Sequence, residues 1–265
     1  MIYCLINILQ YLNLLELQKI IINRTRKLKT LKKTLTAAFI FSIAMGILEA
    51  IVVVYLRDMF YSTGFKFPLK IIPGPIIKVE ILREFCTLVM LVTVAFIAGK
   101  KKLGIFSYFL FCFAVWDIAY YAGLKLILNW PPSLFTWDIL FLIPLPWIGP
   151  VLAPIISSLT MILLSLLLLF LPDKRNDFKV KKPEWALIYA GAFIIFISFI
   201  WDYANIVISN GLLKVLLSPG NSALRNITIN YMPRYFNWSI FIAGLCLIYI
   251  SMFLIIKRYF PFNSS

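Results

Sequence analysis

The sequence contains no histidine, and only 11 of its 265 residues are acidic. Histidine is the commonest metal ligand and the side chain that titrates nearest neutral pH, so carboxylates, tyrosines and lysines are left for any acid–base chemistry. The sequence also lacks an acidic repeat of the DDxxD type and a serine in a GxSxG turn. These absences disfavour zinc hydrolases, α/β-hydrolase-type sites and magnesium-diphosphate enzymes, and we predict no cofactor and no metal site.

Cysteine is also scarce. The four cysteines are isolated from one another, three of them in apolar segments, and no CxxC pair occurs. This spacing predicts neither a metal site nor a disulfide framework. We expect the cysteines to be small buried hydrophobic residues.

Charged residues make up only 14% of the chain, whereas 62% of the residues are hydrophobic and the mean hydropathy is +0.92. Soluble domains contain roughly 45–50% apolar residues. Several apolar runs reach the length of about 20 residues that a helix needs to cross a bilayer, and the alternating segments of a membrane barrel are absent. The sequence therefore predicts an all-α integral membrane protein, a bundle of about six transmembrane helices.

Charged and proline-rich breaks divide the chain into an N-terminal segment, 1–33, and a polytopic transmembrane domain, 34–265. Six spans are predicted from apolar length. They cover residues of about 35–57, 76–99, 103–127, 148–171, 185–208 and 235–256.

Residues 1–22 are apolar enough to suggest a seventh span. Asn7, Gln10, Asn13 and Glu16 recur at every third position, however, and place a polar stripe on one side of a helix. That pattern favours an amphipathic helix lying in the membrane interface. We predict an N-terminal interfacial helix followed by the basic cytoplasmic segment 24–33.

The basic residues fall mainly on alternate loops. Segments 24–33, 100–102, 173–182 and 257–258, together with Lys19, hold 17 of the 26 lysines and arginines. The positive-inside rule makes this side cytoplasmic, so we predict a cell-membrane protein with both ends of the six-span core in the cytoplasm. The net charge of +15 therefore reflects the excess of basic residues on the cytoplasmic side, and nucleic acid is not an expected partner.

A proline-rich segment, residues 129–154, separates the third and fourth spans and contains six prolines. Proline interrupts a continuous helix. We predict a short, proline-broken helix at 135–143 that dips into the outer face, a turn at 144–150, and then the fourth span. The segment is either a lid or cavity wall, or an interfacial anchor that uses its three tryptophans.

Ionisable side chains recur inside the spans, all in the predicted outer half. In the second, third and fifth spans they follow helical spacing, so that each helix carries one polar face. Because a charge at the bilayer centre costs about 2.5–3.5 kcal/mol, we expect these three faces to turn inward and meet. The candidate binding residues are Glu49, Glu80, Arg83, Glu84, Asp117, Tyr121, Lys125, Asp138, Asp202 and Asn205.

The dipeptide Trp-Asp occurs three times, at Trp116-Asp117, Trp137-Asp138 and Trp201-Asp202, in a chain with only seven tryptophans. Adjacent helical residues point about 100° apart. An inward aspartate therefore places its tryptophan at the edge of the polar face, where the indole packs and its N–H is able to donate inward.

Three hypotheses of function follow. The first is binding or transport of a small ligand, an ion or a lipid headgroup in the outer half of the bundle. The second is an intramembrane enzyme acting on a lipid or isoprenoid substrate, with its acid and base among the buried carboxylates. The third is a structural or assembly subunit whose charges bind another membrane protein, and the simplest alternative to all three is pairing of charges between the chain's own helices.

Overall fold

A computed structural model describes residues 2–61, 64–70, 72–174, 178–212 and 230–259. In these residues the chain forms six helices and one β-hairpin. The helices are α1 (Ile2–Phe60), α2 (Gly74–Ala98), α3 (Lys102–Leu128), α4 (Leu152–Lys174), α5 (Lys182–Ser209) and α6 (Trp238–Tyr259), and the strands, between α3 and α4, are β1 (Trp137–Phe141) and β2 (Trp147–Pro150).

The prediction of about six apolar helices is confirmed. Each of the six contains a stretch long and apolar enough to cross a membrane, of between 21 and 36 residues. The protein is therefore a helical, multi-pass membrane protein by the length and composition of its helices.

The N-terminal segment is not a separate helix. α1 continues without a break from Ile2 through the basic residues 24–33 to Phe60. The part of it long and apolar enough to cross a membrane is Thr25–Phe60. The predicted amphipathic segment is thus the first part of a helix of 59 residues. Its position at the membrane interface stays a prediction.

The prediction of a dipping helix at 135–143 is wrong, because this segment forms the first half of an antiparallel hairpin. Asp138 pairs with Gly149 and Ile139 with Ile148, and a bulge precedes the pairing of Phe141 with Trp147. The connection contains two prolines, which supply no N–H to a helix, and the flanking strands are rich in aromatic residues and isoleucine. The fourth span consequently begins at Leu152 rather than at 148.

The helices form two groups. In the first, α3 packs against α1 and α2 through a core that includes Tyr108, Cys112 and Trp116. In the second, α5 packs against α6. α4 joins the groups, because it packs extensively on α3 and also contributes Leu164 and Leu168 to the core of the second group.

The pairing of α5 with α6 depends on two glycines. A Cβ atom on Gly191 would lie 2.6 Å from the carbonyl oxygen of Gly244, and one on Gly244 would lie 2.7 Å from the carbonyl oxygen of Gly191. Small residues let membrane helices approach closely enough for their backbones to pack. This close backbone contact holds α5 and α6 together in the second helix group.

One end of the bundle, which we name the basic end, carries the positively charged loops. There the Arg258 guanidinium donates to the Lys179 carbonyl oxygen at 2.7 Å and to Glu184 Oε2 at 2.8 Å. Glu184 also accepts a bond from the backbone N–H of Lys181 at the start of α5. These bonds tie the loop before α5 to the last turn of α6. The opposite end, which holds the hairpin, is the hairpin end.

Candidate functional site

A small polar chamber lies among α1, α2, α3 and β1, toward the hairpin end. Its volume is about 60 Å³. A cavity needs roughly 10–15 Å³ for each water, so the chamber has room for several waters or a small polar group. It is lined by Glu49, Val53, Arg83, Glu84, Trp116, Asp117, Tyr120, Tyr121, Ile139, Leu140 and Phe141.

Arg83 of α2 links two carboxylates in and beside the chamber. Its Nε lies 2.7 Å from Glu80 Oε2, and its Nη1 forms an ion pair with Glu49 Oε1 of α1. Thr87 Oγ1, one turn along α2, donates to Glu49 Oε2 at 3.3 Å. The helical spacing of Glu80, Arg83 and Thr87 thus directs a polar face of α2 into the bundle, where its contact is with Glu49 of α1.

Glu84 of α2 accepts a hydrogen bond from the backbone of the hairpin. The backbone N–H of Leu142, directly after β1, lies 2.9 Å from Glu84 Oε2 and 3.1 Å from Oε1. Non-helical backbone among membrane helices requires partners from the protein itself, and this carboxylate supplies one. Among the described residues Glu84 has no ion-pair partner within 4 Å.

Asp138 on β1 is almost fully buried, with 2% of its surface exposed. Arg57 Nη2 and Tyr121 Oη each lie 3.3 Å from one of its two carboxylate oxygens. The Arg57 guanidinium also lies 3.7 Å from the centre of the Trp130 ring, a cation–π contact. Burial raises the pKa of Asp138 to about 6, although Arg57, the backbone N–H of Ile139 and the Tyr121 hydroxyl act to lower it.

Asp117 of α3 has one partner among the described residues. Ser158 Oγ of α4 donates to Asp117 Oδ2 at 2.8 Å, and no cation lies within 4 Å. An ionised carboxylate offers about four acceptor sites, so most of the capacity of Asp117 is unused. Ser158 is not among the predicted site residues, because a single serine in an apolar helix gives no signal of its own.

A second, larger cavity lies beside the polar chamber, between α3, α4, α5 and α6. Its volume is about 250 Å³, and its walls are almost entirely apolar. We name it the apolar cavity. Its lining includes aromatic rings of α3 (Phe109, Phe113, Trp116), of the hairpin (Phe141, Trp147) and of α5 (Phe196, Phe199), and the hydroxyl-bearing Ser157, Ser158 and Thr160 of α4.

The two cavities share one wall. Trp116, Asp117, Leu140 and Phe141 line both of them. Trp116 is buried, with 4% of its surface exposed, and its indole N–H finds no acceptor among the described residues. The shared wall thus carries a buried donor without a partner next to an aspartate with spare acceptor capacity.

The apolar cavity extends into the space between α3 and α5. Toward the basic end, the ring of Phe106 of α3 lies 5.1 Å from that of Trp185 of α5. Toward the hairpin end, the ring of Trp147 lies 5.0 Å from that of Phe196 of α5. Between these contacts lies Ala192 of α5, which lines the cavity and is also exposed on the surface of the bundle. The cavity therefore has an edge at the surface of the bundle.

Three of the ten predicted site residues lie elsewhere. Lys125 is exposed and donates to the carbonyl oxygens of Asn129 and Pro131. Asp202 accepts a 2.6 Å bond from Tyr231, and Asn205 is exposed. The predicted meeting of the second, third and fifth spans is wrong for the fifth, because α5 pairs with α6 and α1 supplies the third polar face.

The other seven predicted residues come together in and around the polar chamber. Whether they bind a ligand is a separate question from their proximity. In the part of the chain that the structure describes, no three carboxylate or cysteine side chains are placed to hold a metal ion. The seven residues are Glu49, Glu80, Arg83, Glu84, Asp117, Tyr121 and Asp138.

The fold and the site define a class, that of multi-pass helical membrane proteins with a buried polar chamber beside an apolar cavity. Comparisons of the chain with protein-family models, with curated proteins and with solved structures give no match. Any assignment of function therefore depends on the geometry of this chain.

Proposed function

We propose that this protein binds an amphipathic molecule inside its helical bundle. The apolar part of the molecule occupies the apolar cavity, and its polar end reaches the polar chamber. The observation that supports this proposal is the shared wall, because a single ligand in contact with Trp116 and Asp117 touches both cavities.

The size of the apolar cavity fits a segment of a lipid chain. An engineered apolar cavity of about 150 Å³ is known to hold benzene. By proportion, the 250 Å³ of the apolar cavity accommodates on the order of ten carbon atoms. Each buried methylene contributes about 0.8 kcal/mol, so a chain of this length supplies several kcal/mol of binding free energy.

The charges around the chamber support a binding role over simple pairing between helices. Three carboxylates, of Glu49, Glu84 and Asp117, line the chamber with one guanidinium, of Arg83. A network that only joins helices gains most when each buried charge has an opposite partner. Here neither Glu84 nor Asp117 has a cationic group within 4 Å among the described residues.

The distribution of lysine and arginine also supports a proposal for the membrane and the orientation of the protein in it. The basic end faces the cytoplasm and the hairpin end faces outward, in a cell membrane, by the positive-inside rule. The edge of the apolar cavity at Ala192 then faces the lipid bilayer, which is both the solvent of the protein and the source of its ligand.

Native mass spectrometry of the protein released gently from membranes tests this proposal. Ala192→Phe places a ring at the edge of the apolar cavity. Ala190→Phe adds the same ring at an exposed position of α5 that does not line the cavity. We expect a discrete bound mass on the wild type and on Ala190→Phe that is lost from Ala192→Phe.

The same spectra separate the other hypotheses. Identical bare, folded monomers from all three proteins would contradict the proposal. A bound mass that is converted into a second mass on incubation would favour the intramembrane enzyme. A protein that survives release only with another polypeptide attached would favour the assembly subunit.

A further inference from the structure

We propose that the polar end of the bound molecule is a hydroxyl group, held between the Trp116 indole N–H and the Asp117 carboxylate. This inference rests on the proposed function and adds to it the chemical class of the ligand, a long-chain or isoprenoid-type alcohol. It is drawn from the two residues that line both cavities and leave hydrogen-bonding capacity unused.

The first requirement is an acceptor for Trp116. An indole N–H only donates, and a buried donor left without a partner costs about 1–3 kcal/mol. The nearby hydroxyls of α4 donate elsewhere, Ser157 to the Ala153 carbonyl oxygen, Ser158 to Asp117 and Thr160 to the Ile156 carbonyl oxygen, and none of the described residues accepts from the indole. A bound molecule that places an oxygen lone pair at this wall satisfies the donor.

The second requirement is a donor for Asp117. Its carboxylate accepts one hydrogen bond, from Ser158, and has no ion-pair partner among the described residues. A hydroxyl group meets both requirements at once, because its oxygen accepts from the indole while its proton is donated to the carboxylate.

Several common polar ends fail on one count. An ammonium group donates to Asp117 but has no lone pair for Trp116, and an ether or ketone accepts from Trp116 but has no proton to donate. A carboxylate or phosphate accepts from Trp116 but brings negative charge to a chamber that already holds three carboxylates and one guanidinium. Among these end groups only the hydroxyl fits both side chains and the charge.

The test uses chain-matched probes of ten carbons. Saturable binding of tritiated 1-decanol is measured on the full-length protein in lipid nanodiscs, with empty nanodiscs as the blank. Unlabelled 1-decanol, decyl methyl ether, decylamine and decanoate compete in turn. We expect 1-decanol to displace the label at concentrations about tenfold lower than any of the other three, as expected for one hydrogen bond to a charged group.

Two substitutions separate recognition from structural damage. Asp117→Leu removes the acceptor and should weaken 1-decanol about tenfold while leaving decyl methyl ether unchanged, because the ether donates nothing to Asp117. Trp116→Phe removes the N–H and should weaken both probes equally. Ala190→Phe is the matched control and should bind both as the wild type does.

The outcomes also separate this inference from the proposed function. If decylamine or decanoate competes as well as 1-decanol, or if Asp117→Leu weakens the alcohol and the ether by the same factor, the hydroxyl assignment is wrong and amphiphile binding stands. If none of the four probes binds saturably and no discrete mass accompanies the purified protein, both are wrong.

Discussion

Ser158 Oγ on α4 donates a 2.8 Å hydrogen bond to Asp117 Oδ2 on α3. This bond joins α3, which lines both cavities, to α4, which lines only the apolar cavity. It also fixes one carboxylate oxygen of Asp117 and leaves the other oxygen without a described partner. The orientation of Asp117 at the shared wall is therefore set from α4.

Removal of this hydroxyl should destabilise the protein. Ser158→Ala leaves Asp117 without a described hydrogen-bond donor, and we expect a loss of about 1–3 kcal/mol in the free energy of unfolding. The matched control is Ser157→Ala, because Ser157 bonds only to the Ala153 carbonyl oxygen within its own helix. Denaturant unfolding in mixed micelles measures both, and an equal loss from the two substitutions would contradict the prediction.

Asp138 should give the stability of the protein a dependence on pH. Burial raises its pKa from 3.8 to about 6, so between these values the folded state holds a proton that the unfolded state has released. The bound proton stabilises the folded state fully when the pH is below 3.8, the pKa of Asp138 in the unfolded chain. This contribution is lost as the pH rises through about 6, its pKa in the folded protein.

Asp138→Asn removes that titration. We expect the thermal unfolding midpoint of the wild type to fall relative to that of Asp138→Asn as the pH is raised from about 4.5 to about 7.5. Parallel midpoint curves for the two proteins would show that Asp138 does not titrate in this range. Differential scanning fluorimetry in detergent provides the midpoints.

The crossing of α5 and α6 should not tolerate one extra methyl group. Gly191→Ala places a Cβ atom 2.6 Å from the carbonyl oxygen of Gly244, so the helices must separate, at a cost of about 1–3 kcal/mol. Gly104→Ala is the matched control, since its Cβ meets its nearest neighbour at 3.6 Å. The control should be neutral or slightly stabilising, because alanine is the better helix former. Unfolding by denaturant compares them.

The proposed orientation is tested by labelling single cysteines with a membrane-impermeant maleimide. Positions Lys101 and Lys179 at the basic end should react only after the membrane is opened. Gly64 and Ser133 at the hairpin end should react in intact cells. The reverse pattern would overturn the assignment of the basic end to the cytoplasm.

The positions of the spans follow from the sequence because apolar length is a local property. α2, α3 and α5 begin and end within three residues of their predicted bounds. The inward polar face of α2 is equally local, since Glu80, Arg83 and Thr87 follow helical spacing. Both features depend only on residues close together in the chain.

The pairing of helices and the formation of the hairpin, in contrast, depend on residues far apart in the chain. Asp202 carries the same local signal as Asp117, but the close fit of Gly191 to Gly244 pairs α5 with α6, and Asp202 instead bonds to Tyr231. The hairpin has the length and apolar content of a short helix. The two prolines of its connection indicate a break but do not distinguish a dipping helix from a pair of strands. The hairpin also takes a hydrogen-bond partner, Glu84, from another part of the chain.

The shared wall is built from two stretches of chain, the Trp116-Asp117 pair of α3 and the Leu140-Phe141 pair of β1. A shift of the hairpin relative to α3 therefore reshapes both spaces together, and neither can be altered alone at this boundary. For a molecule that occupies both, the length of its tail and the chemistry of its head become linked variables. A change of tail preference by substitution at Leu140 or Phe141 should carry a change of head preference with it.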